Sequence, residues 1–386
     1  MVAKRKTASF ATDRRSGTIS RDTLRGGKIQ GALKRGSKQL IGYAASVIKT
    51  GNRPKKCFTE KDMGIQGLLT FLQGITTNTH LRYYAGKKIG VDCSCYLYKG
   101  AFGCAEKLGL GISTNEFLDY PEQLFDLLLS LGIKPVAVFD EQNLEAKKIT
   151  REKRERSRKE NATKAEELWR RGIESEAIDH FRRALKITCE MSHKLLKVLR
   201  DKNIDCIVAP FEADAQLAYL NKNQLIDVVL SEDSDLLVFG CSEVLYKVHL
   251  HGSCQSIQSK DIPKCLNISN YTFDLFRHMC IIAGCDYLES LPGIGIKRAH
   301  NLMKKVAAAN GDVRKFFSRL PQVLGVKSLH VPSPEYLLKF DVADQMFLHQ
   351  VVFDPRNLRA VPLNPILDES DAPPELYPCL LSFLYM

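Results

Sequence analysis

The stretch VVLSEDSDLLVFG, residues 228–240, ends an apolar run in three acids within four residues, Glu232, Asp233 and Asp235, and then turns apolar again. A short run of β-branched and aliphatic residues bounded by polar ones reads as a buried strand. The same punctuation recurs along the chain. KKIGVD (87–92), KPVAVFD (134–140), IDCIVAPFE (204–212) and IDVVLSED (226–233) read as strands whose apolar runs stop at Asp92, Asp140, Glu212 and Asp233. Asp214 and Asp235 follow two residues after the last pair, and CIIAGCD repeats the pattern at Asp286. VLYKVHL (244–250) reads as a later, more exposed strand, and residues 145–200 form a long helical stretch with no Pro and a single Gly172. Short strands alternating with helices predict an α/β fold with a mainly parallel central sheet flanked by helices. In such a sheet the carboxyl ends of the strands share one edge, where ligands bind, so the acids are expected to converge there.

Convergence has an electrostatic cost. Two like charges 4 Å apart repel by about 4 kcal/mol at an effective dielectric near 20. Either several acids are protonated or cations sit among them, and oxygen-only donors suit Mg2+ or Mn2+. Asp233 and Asp235 alternate across one residue expected to be exposed, so an extended segment turns both toward one ion and Glu232 away. Glu212 and Asp214 must sit at a strand-to-helix junction, because within a helix they would diverge by about 200°. For any single acid the competing role is plain helix capping.

The chain has 386 residues, 44% apolar and 26% charged, enough to bury a full core, with a net charge of +12. That charge is localised. Residues 1–62 hold 16 Lys and Arg against Asp13, Asp22, Glu60 and Asp62, so the rest is balanced. This basic segment lacks sustained periodicity and is expected to be disordered. A nucleic-acid-binding tail, a mitochondrial presequence and sequence upstream of the true start are its three readings. No run reaches the roughly 18 apolar residues of a membrane span. Twelve Cys without a C-x-x-C pair fit free thiols in a reducing compartment.

Two further elements point to a phosphate-rich partner. SLPGIGIKRAHNL (290–302) sets Gly293 and Gly295 in a tight turn before a helix that begins with Lys297 and Arg298. Such a helix-hairpin-helix offers backbone N–H groups to phosphate oxygens and reads the DNA backbone rather than the bases. KKITREKRERSRK (147–159) is dense in bases and, on a helix, brings Lys147, Arg154 and Arg158 to one face. Beside bound cations that face would stabilise charge developing on a scissile phosphate; otherwise it is a solvated face.

MGIQGLL, VAVFD, APFEADAQLAYL, SEDSDLLVFGC and GCDYLESLPGIGIKRA together resemble the structure-specific 5′ nuclease family, in particular its exonuclease 1 branch, from Met63 to about Leu363. The resemblance implies an N-terminal nuclease region over 63–161, a helical arch with linker helices over 162–200, and an internal nuclease region over 201–363. The helix-hairpin-helix falls near 273–305, and a C-terminal segment, 364–386, is expected to be truncated. It implies two Mg2+ ions per active site, with Mn2+ able to substitute. Asp92, Asp140, Glu212 and Asp214 match the first-metal group; Asp233, Asp235 and Asp286 match the second. Lys147 and Arg154 match cationic residues of the arch. Ser290 and the carbonyls around Ala283 and Ile294 match a K+ site that bridges to a DNA phosphate, and Gly64 lies near the active site and the DNA.

By the same resemblance the chain is expected to be a monomeric 5′ to 3′ double-strand exonuclease with flap cleavage as a second activity. Its substrates are duplexes with 5′ ends, nicks, gaps or flaps, in the nucleus, with mitochondrial targeting by residues 1–62 as the alternative. Mismatch-repair partners belong to a tail not included here. Three positions depart from the pattern. Glu141 stands where the family has Gly, Tyr98 stands where the branch has His and is either a base-stacking catalytic residue or a core residue, and 62 residues precede Met63. A flap-endonuclease-type enzyme, a catalytically silent DNA-binding relative and a small-molecule phosphatase are the alternatives.

Overall fold

The computed structural model describes residues 64–141, 144–326 and 329–366. The basic stretch 1–62 and residues 367–386 lie outside the described residues, as do the expectations for them.

Among the described residues seven strands form one sheet: β1 (Thr77–His80), β2 (Lys88–Asp92), β3 (Lys134–Phe139), β4 (Asp205–Val208), β5 (Val228–Leu230), β6 (Glu243–Tyr246) and β7 (Ser253–Gln258). Their order is β1-β7-β6-β5-β2-β3-β4. β2 through β6 pair in parallel, and β7 and β1 are added antiparallel at one edge. The chain moves outward from β2 to β3 and β4, then returns to the other side of β2 with β5 and β6. That reversal makes the carboxyl ends of β2 and β5 a topological switch point, the usual ligand crevice of an open α/β sheet.

The apolar runs become strands because both faces are covered. Val136 and Val138 of β3 join one core layer, Ala137 and Phe139 the other. The covering helices include α1 (Cys93–Gly103), α2 (Asp119–Ser130), α3 (Lys148–Arg170), α4 (Glu174–Ala184), α5 (Cys189–Asp201), α6 (Ala213–Lys222), α7 (Asp235–Phe239), α8 (Phe273–Ala283), α9 (Ile296–Ala308) and α10 (Pro334–His349). Residues from α1, α2 and α5 line one layer; residues from α6 to α10 line the other. After α10 a hairpin, β8 (Val351–Asp354) with β9 (Arg359–Pro362), packs against α6.

Several expectations need correction. The segment 244–250 is not an exposed strand: β6 ends at Tyr246, and Val244, Leu245 and Tyr246 are buried because β7 covers its outer edge. β7 and β1 were not anticipated, since SCQSIQ and TNTH carry no apolar run. β4 stops at Val208 and β5 at Leu230, so Glu212 and Asp233 lie beyond the strand ends. In CIIAGCD the apolar run is the end of α8, which stops at Ala283, so Asp286 follows a helix and not a strand.

The helical stretch 145–200 divides into α3, α4 and α5. Gly172, at φ +74°, lets the chain reverse between α3 and α4. The 23 residues of α3 span about 34 Å at 1.5 Å per residue, and its buried side chains are Ala165 and Leu168, both in its last turns. A polar helix end of this kind projects beyond the core. α4 folds back on the apolar end, where Trp169 meets Phe181 edge-on at 6.1 Å. Among the described residues no helix is long and apolar enough to cross a membrane.

Candidate active site

The acids gather at the carboxyl rim of the sheet. Asp92 ends β2 and caps α1: its Oδ1 accepts from Cys95 N–H at 3.2 Å, and its Oδ2 accepts from the Ser231 hydroxyl at 2.8 Å. That second bond ties β2 to β5 across the switch point. Asp140 follows β3; Oδ1 accepts from Ala213 N–H at 2.7 Å, fastening it to the start of α6, and Oδ2 accepts from the Ser94 hydroxyl. The Glu141 N–H donates to the Phe211 carbonyl at 3.2 Å, so this departure from the family's Gly keeps β3 joined to the loop before α6.

Glu212 occupies the extended N-cap position of α6 and Asp214 its first turn, the strand-to-helix junction their spacing requires. Glu212 caps nothing. Its Oε1 meets the Lys147 ammonium at 2.5 Å, while its Oε2 accepts from the Tyr287 hydroxyl at 2.5 Å and the Gln350 amide at 3.1 Å.

The segment expected to be extended at Asp233 and Asp235 is instead a turn into α7. Asp233 Oδ1 accepts from Asp235 N–H at 2.8 Å, and Ser234, expected to be exposed, is buried, its hydroxyl accepting from Ile65 N–H at 2.9 Å. Glu232 does point away, to Lys99 and to the Lys247 N–H at 3.0 Å. Gly64 lies directly against these acids. A Cβ there would fall 2.4 Å from Asp233 Oδ1 and from Ser234 Oγ, on a backbone at φ +67°.

Asp286 lies between two cations, Lys147 at 3.1 Å and Arg154 at 2.7 Å. The Lys147 ammonium also lies 5.0 Å from the centre of the Tyr287 ring. Thr150 donates to the Asp286 carbonyl at 2.9 Å and Lys153 pairs with Glu289, which anchors the base of α3 to this loop. Arg158 continues the face one turn on, half-buried.

Crowding shows in the titration of the group. Asp92 is pushed up to about 7 by burial and then by Asp140; Asp233 is pushed up to about 6, chiefly by burial. Burial and the neighbouring Asp233 hold Asp214 and Asp235 well above the ordinary carboxylate range. Asp140, although its outer edge is open, is also raised by burial. Asp286 alone moves down: burial opposes ionisation, but Lys147 and Arg154 outweigh it. Burial would lower Lys147, yet Glu212, Tyr287 and Asp286 hold it well above its usual value.

Capping accounts for Asp92, Asp140 and Asp233. It does not account for Asp214 and Asp235, each with a buried Oδ1 that lacks any hydrogen-bond partner. Buried, unpaired acid oxygens facing other acids suit a hard cation. Among the described residues, no three of these acids surround one point as a finished ligand set; the cations in place are the Lys147 and Arg154 side chains.

The remaining expected residues fall into two groups. Gly293, at φ +84°, and Gly295, the N-cap of α9, form the turn between α8 and α9, with Lys297 and Arg298 exposed beside it. Arg298 donates to the Gly293 carbonyl. Ala283 closes α8, Ser290 packs against Gly284, and Ile294 is buried with its N–H on the Leu291 carbonyl at 2.8 Å. Tyr98 is half-buried against the core layer, and its hydroxyl donates to the Arg182 carbonyl of α4 at 3.3 Å. Sequence reasoning missed Tyr287, although it follows Asp286 directly, and Gln350, which no local signal marks.

Comparison with known proteins follows the same outline. The family model described as XPG N-terminal domain matches residues 63–161, and the one described as XPG I-region matches residues 203–286. Exonuclease 1 of Danio rerio is 42% identical over 307 residues, covering 79% of this chain and 38% of that protein. Exodeoxyribonuclease 1 of Schizosaccharomyces pombe is 38% identical over 304 residues, covering 78% and 52%. The DNA damage-inducible protein DIN7 of Saccharomyces cerevisiae is 32% identical over 307 residues, covering 79% and 70%. The chain thus spans well under half of the zebrafish protein's length. The catalytic core of Rad2 in complex with DNA substrate shares the fold, with TM-score 0.53 and 19% identity over 72% of this chain and 85% of that one. The junction-resolving enzyme GEN-1 binding potassium gives 0.51 and 19%, over 76% and 67%.

Proposed function

The chain belongs to the XPG-like structure-specific 5′ nuclease family, and on that premise we propose that it is a 5′ to 3′ double-strand DNA exonuclease with 5′ flap endonuclease activity. One observation carries the proposal: seven carboxylates from five separate stretches of chain share one sheet rim, two with buried unpaired oxygens, beside a cationic helix base.

Asp92, Asp140, Glu212 and Asp214 on one side, and Asp233, Asp235 and Asp286 on the other, would hold two Mg2+ or Mn2+ ions, which supply an activated water and neutralise the phosphate and the leaving 3′ oxygen. Lys147 and Arg154 stand where a scissile phosphate would need positive charge. No side chain has to act as a nucleophile. Lys297, Arg298 and the N–H groups at the start of α9 would grip the duplex backbone, and Ser290 with the carbonyls of Ala283 and Ile294 would hold a K+ ion. Gly64, lacking a side chain, lets the start of the described chain pack directly against Asp233 and Ser234, close to where the DNA end would lie. Arg158 extends the phosphate contact along α3, and Tyr98 supports the arch through Arg182. We place the enzyme in DNA repair in the nucleus, acting as a monomer.

A single-turnover assay on 5′-labelled blunt, nicked and flapped duplexes, titrated with Mg2+, tests this. The wild-type chain should release 5′-phosphorylated products only with the metal. Asp235→Ala and Asp286→Ala should abolish cleavage while DNA binding in Ca2+ stays measurable. Turnover retained in both variants would remove the metal assignment, and hydrolysis of a small phosphoester but not of duplex would replace the nuclease with a phosphatase.

A further inference from the structure

We propose that the hairpin β8–β9 is part of the active site, with Gln350 positioning Glu212 to bind a divalent cation. The proposal rests on the metal-dependent nuclease reading above and concerns a region, 334–366, beyond both matched family segments.

Gln350 joins α10 to β8 and is 2% exposed. Its Nε2 donates to Glu212 Oε2 at 3.1 Å, the oxygen that also accepts from Tyr287, while Lys147 takes Oε1. Three distant parts of the chain therefore fix one carboxylate.

The hairpin holds Gln350 firmly. Leu363 N–H donates to the Gln350 carbonyl at 2.9 Å. Gln216, fully buried on α6 one turn after Glu212, clamps Phe353 from both sides: its amide donates to the Phe353 carbonyl at 2.8 Å, and its oxygen accepts from Phe353 N–H at 2.7 Å. Arg356, in the hairpin turn, reaches the Tyr219 hydroxyl at 2.9 Å and Asn223 Oδ1 at 3.1 Å, at the far end of the same helix. The hairpin thus grips α6 along its length as well as the side chain at its start.

The other end of the Gln350 amide shows what the residue contributes. Its Oε1 is buried without a hydrogen-bond partner. Leaving such an oxygen unpaired is costly, and an apolar side chain of similar size would fill the space without that cost. Packing is therefore not what the amide supplies; its donor to Glu212 is. Partners that orient a metal-binding side chain in this way typically account for a 10–100-fold effect on metal affinity or activity.

The test uses the whole chain with Gln350→Leu and Gln350→Asn, the second keeping an amide too short to reach Glu212. Mn2+ binding without DNA is read by electron paramagnetic resonance, half-saturating Mg2+ by single-turnover cleavage, and folding by thermal unfolding. The Mn2+ dissociation constant and the half-saturating Mg2+ should both rise about ten-fold or more, with excess Mg2+ restoring the rate and DNA affinity in Ca2+ unchanged. A merely structural residue would lower the unfolding midpoint without moving metal affinity in the folded protein. Wild-type Mn2+ affinity in either folded variant overturns the inference; if the Leu variant does not fold, the Asn variant decides. A wild-type chain that cleaves normally while both variants match it sinks only this inference. A wild-type chain that never cleaves sinks the nuclease reading.

Discussion

Replacing Lys147 by Ala removes a buried cation from between Glu212 at 2.5 Å and Asp286 at 3.1 Å. At an effective dielectric near 20 each attraction is about 5–7 kcal/mol before the desolvation that opposes it. The net cost of removing one partner from a buried pair is about 3–5 kcal/mol. The lower end applies, because Arg154 still faces Asp286, and Tyr287 and Gln350 still donate to Glu212. A loss of about 3 kcal/mol corresponds to roughly 6 °C in the unfolding midpoint of a large domain. The site then carries one more uncompensated negative charge, so Mg2+ should raise the midpoint of the variant by more than that of the wild type. In single-turnover cleavage at saturating DNA the rate should fall by about 10²–10³-fold, the usual effect of losing one transition-state donor, with DNA affinity in Ca2+ nearly unchanged. Weaker affinity with an unchanged rate would make Lys147 a phosphate anchor. An unchanged midpoint, with no added response to Mg2+, would refute the idea that its ammonium balances the acid cluster.

Gly64→Ala should lose stability by about 1–2 kcal/mol for the left-handed backbone alone, with more from a Cβ placed 2.4 Å from Asp233 Oδ1; a fully active variant with wild-type thermal stability would contradict the packing seen here. Burial would raise Asp344, but His278 and Arg277 hold it down to about 2. A depressed carboxylate stabilises above its unfolded pKa near 3.8 and loses that contribution as pH falls through about 2, so urea denaturation between pH 5 and pH 2 should show about 2 kcal/mol of acid destabilisation that Asp344→Asn lacks. Lys297→Ala should weaken duplex binding evenly across sequences and reduce the slope of log affinity against log salt by about 1; an unchanged slope in fluorescence anisotropy titrations would take Lys297 off the phosphate backbone.

What the sequence revealed follows from which forces are local. β2, β3 and β5 are buried on both faces, so they appear as apolar runs, and the acids that follow mark the rim. β7 was not legible because its residues alternate between core and partly exposed positions and its pairing with β6 is made by the backbone. CIIAGCD repeats the apolar punctuation of the strands, but its first four residues close α8 and Asp286 follows the helix end, since buried helices and buried strands share the same apolar composition. Gln350 was invisible because its partner, Glu212, lies 138 residues away and nothing in QMFLHQVV marks a donor aimed at a carboxylate.

The competing roles of the acids turn out to be compatible. Asp140 fastens the first N–H of α6 with one oxygen and meets the Ser94 hydroxyl with the other; Asp92 caps α1 and meets Ser231; Asp233 turns the chain into α7. These bonds fix where the carboxylates sit. They cannot neutralise them, because an N–H or hydroxyl brings no net charge, and burial keeps most of the group displaced upward in pKa. The group is relieved either by holding protons, as the raised values allow, or by whole positive charges. Lys147 and Arg154 supply two of these to seven acids, both directed at the Glu212–Asp286 side. Neither cation is ion-paired with Asp214 or Asp235 among the described residues, and each of these keeps its Oδ1 buried and unpaired. A rim built by capping thus sets two unpaired acid oxygens beside a fixed supply of positive charge, an arrangement that suits the polyanion cleavage proposed above.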